Sequence, residues 1–472
     1  MILKYLCIVF AALQAFTFSV FTNDKTQTIG VNQYEMHQTF ETFGTSSCWW
    51  SQTINNEETA KEIARLLYDD ETGLGLDVYR YNVGGGEADN PDCRIWDRTR
   101  RTESFYVLNP ETGEYEYDFT RDSNARRMLD MAVEYGAEEI ILFCNSPHFS
   151  MTASGHASGG LEPNVSNLPK ENYDEFVDYL LTIADWFVDE GYPVTAISPI
   201  NEPQWSWGGE WVGQEGCHYT ADEAVELLEL FAVTMKERNS PYKLSGPESG
   251  ELSPGYYEYI DKFFASDILN EFCDTYSGHS YWLDNKLDLK TMAGEKFRNE
   301  YPAKKLEMSE WCELPMTIDP TTIDSGLYMA NIIVQDLNLL GAVSWQSWTA
   351  VNGDGVMDII NGELVMYNRY YAYKHFSQFI KEGMNLVTVM DSFEGSSQIA
   401  STAFKGDGET VLILINNSEK AEDIKLYGCY KSMDVYRTDT ETNCEKIYSG
   451  KYKTGINLPA KSITTIVLEE FI

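Results

Sequence analysis

Between about Glu41 and Ile380, short apolar runs alternate with stretches whose apolar positions recur every three or four residues. Runs of four to eight apolar or β-branched residues bounded by turn formers predict buried strands, and the longer period predicts helices with one core-facing side. Eight strand candidates result: Thr42 to Cys48, Asp77 to Asn82, Glu139 to Asn145, Val194 to Asn201, Lys243 to Gly246, Thr275 to Ser280, Lys304 to Glu310 and Ala342 to Trp348. Helical stretches such as Asn124 to Tyr135 and Tyr173 to Glu190 lie between them. Thr220-Ala221-Asp222-Glu223 reads as a capping box opening a helix to Arg238, because the Thr hydroxyl and the Glu carboxylate each satisfy a free amide. Eight strand-helix units predict an α/β fold, a (β/α)8 TIM barrel with inserted loops, with a doubly wound open sheet as the alternative.

After the Tyr-rich helix Tyr367 to Ile380 the pattern changes to short alternating strands: Leu386 to Met390, Gln398 to Phe404, Thr410 to Asn416, Ser432 to Arg437 and Ile463 to Leu468. That predicts an all-β side domain, a β-sandwich, to which Thr26 to His37 adds a strand from the other end of the chain. The start reads as an export signal, with Lys4 before an apolar run from Tyr5 to Phe18 and cleavage between Ala15 and Phe21; an uncleaved anchor is the alternative. The expected division is residues 1–20 as signal, 38–380 as barrel, and 21–37 with 381–472 as the side domain.

Composition narrows the function. The 472 residues carry 35 Lys and Arg against 74 Asp and Glu, a net charge of −39. Such a field repels phosphate backbones and anionic lipid, so nucleic acid is excluded as a partner class, and no second segment suits membrane insertion once the signal is removed. Aromatic residues make up 13%, and flat faces beside carboxylates suit uncharged, polyhydroxylated ligands. Without Cys7, eight cysteines remain in a chain expected to be secreted, which permits four disulfides; Cys429 with Cys444 is the one expected pair. Asn164-Val165-Ser166 and Asn416-Asn417-Ser418 are glycosylation sequons.

Chemistry in a barrel collects at the C-terminal strand ends. Strand four ends Asn201-Glu202-Pro203 and strand seven ends Ser309-Glu310-Trp311, so two glutamates leave the same rim from facing positions. Glycoside hydrolysis needs such a pair, one carboxyl protonated for the leaving oxygen and one ionised for the anomeric carbon; a separation of ~5 Å gives retention. Glu202 is expected as general acid/base and Glu310 as nucleophile. Six histidines show no His-Glu-x-x-His or Cys-x-x-Cys spacing, so neither a metal nor another cofactor is expected. Gly84-Gly85-Gly86 lacks the Lys-Ser/Thr of a phosphate loop and is read as letting backbone pass close to a sugar. No Gly-x-Ser-x-Gly elbow supports a serine esterase.

The chain resembles glycoside hydrolase family 30 through Gly44-Thr45-Ser46-Ser47-Cys48-Trp49-Trp50, Tyr79-Arg80-Tyr81-Asn82-Val83-Gly84-Gly85, Asn145-Ser146-Pro147, Asn201-Glu202-Pro203, Gly278-His279-Ser280-Tyr281, Ser309-Glu310-Trp311 and Trp345-Gln346-Ser347-Trp348. The Gly-Thr-Ser opening and the Arg-Tyr-Asn-Val-Gly-Gly strand look most like the endo-β-1,6-galactanase branch, from which His148-Phe149-Ser150-Met151 departs. The resemblance implies a retaining barrel in which Arg80 keeps the nucleophile ionised and Asn201 bonds the sugar 2-hydroxyl. It implies too that His279 and Tyr281 orient nucleophile and ring, and that Trp345 or Trp348 floors the subsite. Trp49, Trp50, Trp205, Trp207 and Trp211 are read as lining neighbouring subsites or packing barrel layers. The Arg94, Arg98, Arg100 and Arg101 loop either meets a uronic acid or neutralises Asp89, Asp92 and Asp97. The expected protein is a secreted monomer acting on a β-linked oligo- or polysaccharide, first of all β-1,6-galactan. Alternatives are a xylanase, β-1,6-glucanase, exo-acting fucosidase or galactosidase, glucosylceramidase, or a carbohydrate-binding protein on a degenerate barrel.

Overall fold

The computed structural model describes residues 27–210, 212–392, 398–406 and 408–471. The signal segment with its cleavage region, Thr26 and Trp211 lie outside the described residues. By their contacts the described residues form two units, one within Phe43–Leu314 together with Ser344–Gly355, and the other from Gln27 to Thr42, Pro315–Val343 and the described residues after Gly355.

The first unit carries a closed parallel sheet. Its eight barrel strands are Thr42–Ser46, Val78–Asn82, Glu139–Phe143, Val194–Ser198, a fifth split into Lys243–Leu244 and Pro247–Ser249, then Thr275–His279, Lys305–Trp311 and Ser344–Ser347. The halves of strand five pair with strand four and strand six respectively, and strand eight lies beside strand one, so the sheet closes on itself. Each expected strand is found within a few residues of its predicted limits, with nearly every position buried because helices cover the outside and side chains fill the inside. On strand two the alternation sends Tyr81 outward to Phe187 while Arg80 turns inward over Phe143. Helices Ser123–Tyr135, Tyr173–Asp189 and Ala221–Arg238 match the predicted stretches. The capping box is formed, with the Glu223 amide donating to Thr220 Oγ1 and the Thr220 amide to Glu223 Oε2.

In the second unit, nine strands form one sheet in which Gln27–Thr39 runs antiparallel to Asn385–Asp391 and parallel to Glu422–Tyr427, so the chain start does join the C-terminal module. Ile29, Val387, Leu412, Leu414, Ile424, Leu426, Val435, Leu458 and Ile466 share one buried cluster. Strands from both ends of the sheet contribute to it, which makes the fold a sandwich. Helices Ile323–Gln335 and Asn368–Ser377 pack against each other and against strands of this sheet. His375 is bonded there to Thr438 and Thr465, and burial keeps its ring neutral, down to about 3.

The Cys429–Cys444 disulfide is not formed, and Cys444 carries a free thiol. Strand Ser432–Thr438 runs antiparallel to Asn443–Lys451, with Ser432 opposite Lys451 and Thr438 opposite Asn443. Cys429 therefore lies at one end of this hairpin and Cys444 at the other, ~20 Å away at strand rise. The sequons also separate. Asn416 is buried, its amide nitrogen donating to Lys420, Leu458 and Pro459 carbonyls, whereas Asn164 is exposed. Expression in a glycosylating host is expected to add one glycan, at Asn164; intact mass that moves with Asn416→Gln and not with Asn164→Gln would contradict this.

Candidate active site

Strands two, four, five, six and seven each deliver an ionisable side chain to the same end of the barrel. An oxygen of Glu202, a ring nitrogen of His279 and an oxygen of Glu310 all lie within 4.8 Å of one another. Arg80 Nη1 donates to Glu310 Oε2 at 3.2 Å and to the Ser309 carbonyl at 2.9 Å, and the Tyr281 hydroxyl donates to Glu310 Oε1 at 2.9 Å. His279 Nδ1 stands 3.2 Å from Glu202 Oε1 and 3.6 Å from Glu310 Oε1.

A residue that the sequence reading passed over sits beneath this group. Glu248 Oε2 lies 3.2 Å from His279 Nε2 and also accepts a bond from Ser309, while Oε1 accepts from Ser198 at 2.9 Å and makes an ionic contact with Arg80 Nη2 at 3.6 Å. Two bulges place these groups. Consecutive Ser277 and Gly278 oppose Pro247 and Ser249, so Glu248 is the extra residue, at φ +57°. On the other side of strand six the pairing slips by one after Gly278, which sets His279 opposite Glu310. Glu202 is also left-handed, at φ +45°, its amide donating to the Glu248 carbonyl at 2.9 Å; a glutamate holds such a backbone only where its surroundings fix it. Gly250 is needed beside it, since a Cβ there would meet Glu202 Oε1 at 2.6 Å and Trp205 Nε1 at 2.5 Å.

Three carboxyls thus face two cationic side chains, Arg80 and His279. Burial opposes charge on Glu248, but Arg80 and the bonds from His279 and Ser309 outweigh it and hold it down at about 2. Burial pushes Glu310 up to about 6, against the pull of His279 and Arg80 and together with the like charges of Glu202 and Glu248. For His279 burial is outweighed by Glu310, Glu202 and Glu248, which raise the ring to about 10 and make it an imidazolium. Among the described residues, Glu202, His279 and Glu310 form the group able to ligate a metal. With the imidazolium and Arg80 already on these carboxylates, a further cation meets positive charge instead of a free ligand set.

Asn201 donates to Asn145 Oδ1 at 3.1 Å, and Asn145 to Asn82 Oδ1 at 3.1 Å. Asn201 Oδ1 and Trp49 Nε1 are buried without a hydrogen-bond partner among the described residues, which suits a hydroxylated ligand supplying both a donor and an acceptor. Trp348 is partly exposed, edge-on to Trp49 at 5.3 Å and to Phe143 at 6.1 Å. Trp345 is fully buried against Trp311 at 6.1 Å, and Trp50 is buried with Nε1 on the Ser46 carbonyl, so neither presents a face to a ligand. Trp205 is partly exposed beside Tyr256, and Trp207 Nε1 donates to the Glu202 carbonyl. Arg94 bonds the Gly209 carbonyl, Arg101 the Ile95 carbonyl, and Arg100 pairs with Asp97 while its guanidinium lies 4.6 Å over Trp49.

The glycines after strand two serve packing rather than an open sugar site. A Cβ on Gly84 would strike the Glu103 carbonyl at 2.2 Å, and one on Gly85 would strike Ala157 Cβ at 2.5 Å. The Gly85 amide and Thr102 hydroxyl instead hold Glu215. Burial, with Glu87 adding like charge, raises Glu215 to about 8 despite those bonds. A carboxyl raised on folding gives stability that is full below its unfolded value and lost as pH rises through about 8. Glu215→Gln, neutral throughout, is expected to melt higher than the wild type at pH ~9, by ~1–3 kcal/mol, and about equally at pH ~5. A thermal shift that does not depend on pH would refute it.

Residues 26–360 match the profile of O-glycosyl hydrolase family 30. An endo-β-1,6-galactanase of Hypocrea rufa is 22% identical over 457 residues, 89% of this chain and 90% of the relative. A conserved exported protein from Bacteroides fragilis superposes with a TM-score of 0.84 at 24% identity, over 93% of this chain and 100% of that one. A GH30 endoxylanase from Clostridium papyrosolvens C71 gives 0.69 at 21% identity, over 94% and 100%. With a family profile spanning most of its length and a galactanase-like relative along it, the chain belongs to O-glycosyl hydrolase family 30 and is a glycoside hydrolase.

Proposed function

We propose that this glycoside hydrolase is an exported, endo-acting β-1,6-galactanase that works by double displacement. The observation that carries the mechanism is the pair of carboxyls with oxygens within 4.8 Å, a spacing too short for a water between carboxylate and sugar and suited to direct attack. Glu310 attacks the anomeric carbon while Glu202 gives its proton to the glycosidic oxygen, so the bond to the leaving sugar breaks as the glycosyl ester forms. Glu202 then takes a proton from water, whose oxygen displaces Glu310 and restores both carboxyls. Arg80 and Tyr281 aim Glu310, Asn201 Oδ1 accepts from the 2-hydroxyl, and Trp348 stacks on the sugar, with Trp49 and Trp205 beside it. The substrate reading rests on the Hypocrea rufa relative and the motifs at Arg80 and Trp49; export rests on the Lys4 to Phe18 pattern and the exported Bacteroides fragilis neighbour.

Proton NMR during hydrolysis of β-1,6-galactan is expected to show the β-anomer first, with products sized as oligosaccharides. An α-anomer first overturns the displacement mechanism, and release of single residues from one end overturns endo action.

A further inference from the structure

Among the described residues, two tryptophans are exposed: Trp96 at 62% and Trp282 at 46%. Single exposed apolar side chains are ordinary, so exposure by itself says little. Their positions say more. Trp96 belongs to the loop after barrel strand two, and Trp282 stands three residues after His279, the last residue of strand six. The Trp96 loop is held to Val212, in the loop after strand four, whereas Trp282 follows strand six directly, so the two indoles stand on separate loops at the end of the barrel that holds Glu202 and Glu310.

Each indole is tied to the catalytic group by neighbours. From Trp348 the contacts run to Trp49 at 5.3 Å and on to the Arg100 guanidinium 4.6 Å over Trp49. A carbon at Gly213 would lie 3.6 Å from Trp96 Nε1 and 4.0 Å from Arg100 Nη1, so Trp96 continues that line outward. The Trp96 amide donates to the Val212 carbonyl at 3.1 Å, which fixes the loop. After strand six, Tyr281 is held by Glu310 and Leu283 is fully buried, so the backbone at Trp282 is anchored at both neighbours and turns the indole outward at φ +64°.

We propose that Trp96 and Trp282 are outer stacking platforms for sugar rings, one toward each end of a glycan chain laid across the barrel mouth with the scissile bond between them. The apolar faces of pyranose rings cover such indoles, while hydroxyl edges remain in water. This rests on the endo-glycanase reading and deepens it: platforms on both sides favour internal cleavage and make binding grow with chain length.

The test is steady-state kinetics on linear β-1,6-galacto-oligosaccharides from trimer to hexamer, with Trp96→Ala, Trp282→Ala and the stacking-conserving Trp96→Phe and Trp282→Phe. Each Ala variant is expected to lose about ten-fold in kcat/KM on the hexamer, mainly through KM, with a smaller loss at each shorter length. The Phe variants should recover most of it. On an end-labelled hexamer the two Ala variants should move the preferred bond in opposite directions. Losses equal at all lengths, no loss, or bond preferences moving the same way overturn the proposal. A wild type inert on galactan but active on xylan or β-1,6-glucan overturns the substrate reading alone, and the same length comparison on that glycan then decides the platforms.

Discussion

Glu310→Ala is expected to lower kcat on β-1,6-galactan by about 10⁴-fold or more, because the carbon that Glu310 attacks is then left to water alone. The fold should survive. Arg80 keeps the Ser309 carbonyl and Glu248, and Tyr281 retains Cys312 Sγ at 3.7 Å, so no buried cation is stranded. The informative measurement is rescue of the variant on an aryl β-galactoside with azide. Azide entering the space left by Glu310 attacks from the face opposite the leaving group and gives the α-galactosyl azide, whereas Glu202→Ala with azide gives the β-azide through an intact Glu310. Residual activity within about ten-fold of wild type, or the β-azide from Glu310→Ala, removes Glu310 from the nucleophile's role. In the unmodified enzyme, attack needs the ionised carboxyl, so kcat/KM should fall as pH drops through about 6, where burial has set Glu310.

Much of this arrangement was legible in the chain because periodicity survives insertions. The eight apolar runs map onto strands, and Glu202 and Glu310 stand at strand ends as placed. Chemistry that depends on bulges was hidden. The expected fifth strand stopped at Gly246, so Pro247-Glu248-Ser249 was not seen as a strand end, although a carboxylate there was the same kind of signal as at strands four and seven. The spacing of Trp345 and Trp348 is odd, which puts them on opposite faces of an extended chain; without the register, sequence could not say which faces a ligand, and the partly exposed one is Trp348. Strand Asn443–Lys451 was missed because its exposed edge carries Glu and Lys where a core strand carries Val or Ile. The Cys429–Cys444 pairing failed because closeness in sequence means opposite ends of a hairpin when one full strand, Ser432–Thr438, lies between.

Glu248→Gln separates a positioning charge from mere packing. Glu248 touches neither the anomeric carbon nor the leaving oxygen in the proposed mechanism, yet it bonds His279 and neutralises Arg80 from below. With the amide in its place, one of Ser198 and Ser309 keeps an acceptor and the other hydroxyl turns to accept from the amide nitrogen, while His279 Nε2 and Arg80 face a dipole instead of an anion. The imidazole, held at about 10 in part by Glu248, loses that contribution and deprotonates at lower pH. Neutral His279 no longer offsets the charge on Glu202 and Glu310, so the expected result is an alkaline limb moved at least about one unit toward neutrality, together with about a 10²-fold fall in kcat at the optimum and little change in KM. Breaking a buried ionic cluster also costs ~3–5 kcal/mol, so melting must be followed in parallel and rates taken well below the midpoint. Glu248→Asp, which keeps the anion one methylene further away, should restore the alkaline limb more fully than it restores kcat. If Glu248→Gln instead lowers activity by the same factor at every pH, with Glu248→Asp no closer to wild type in profile, then Glu248 only fills space beneath the catalytic pair.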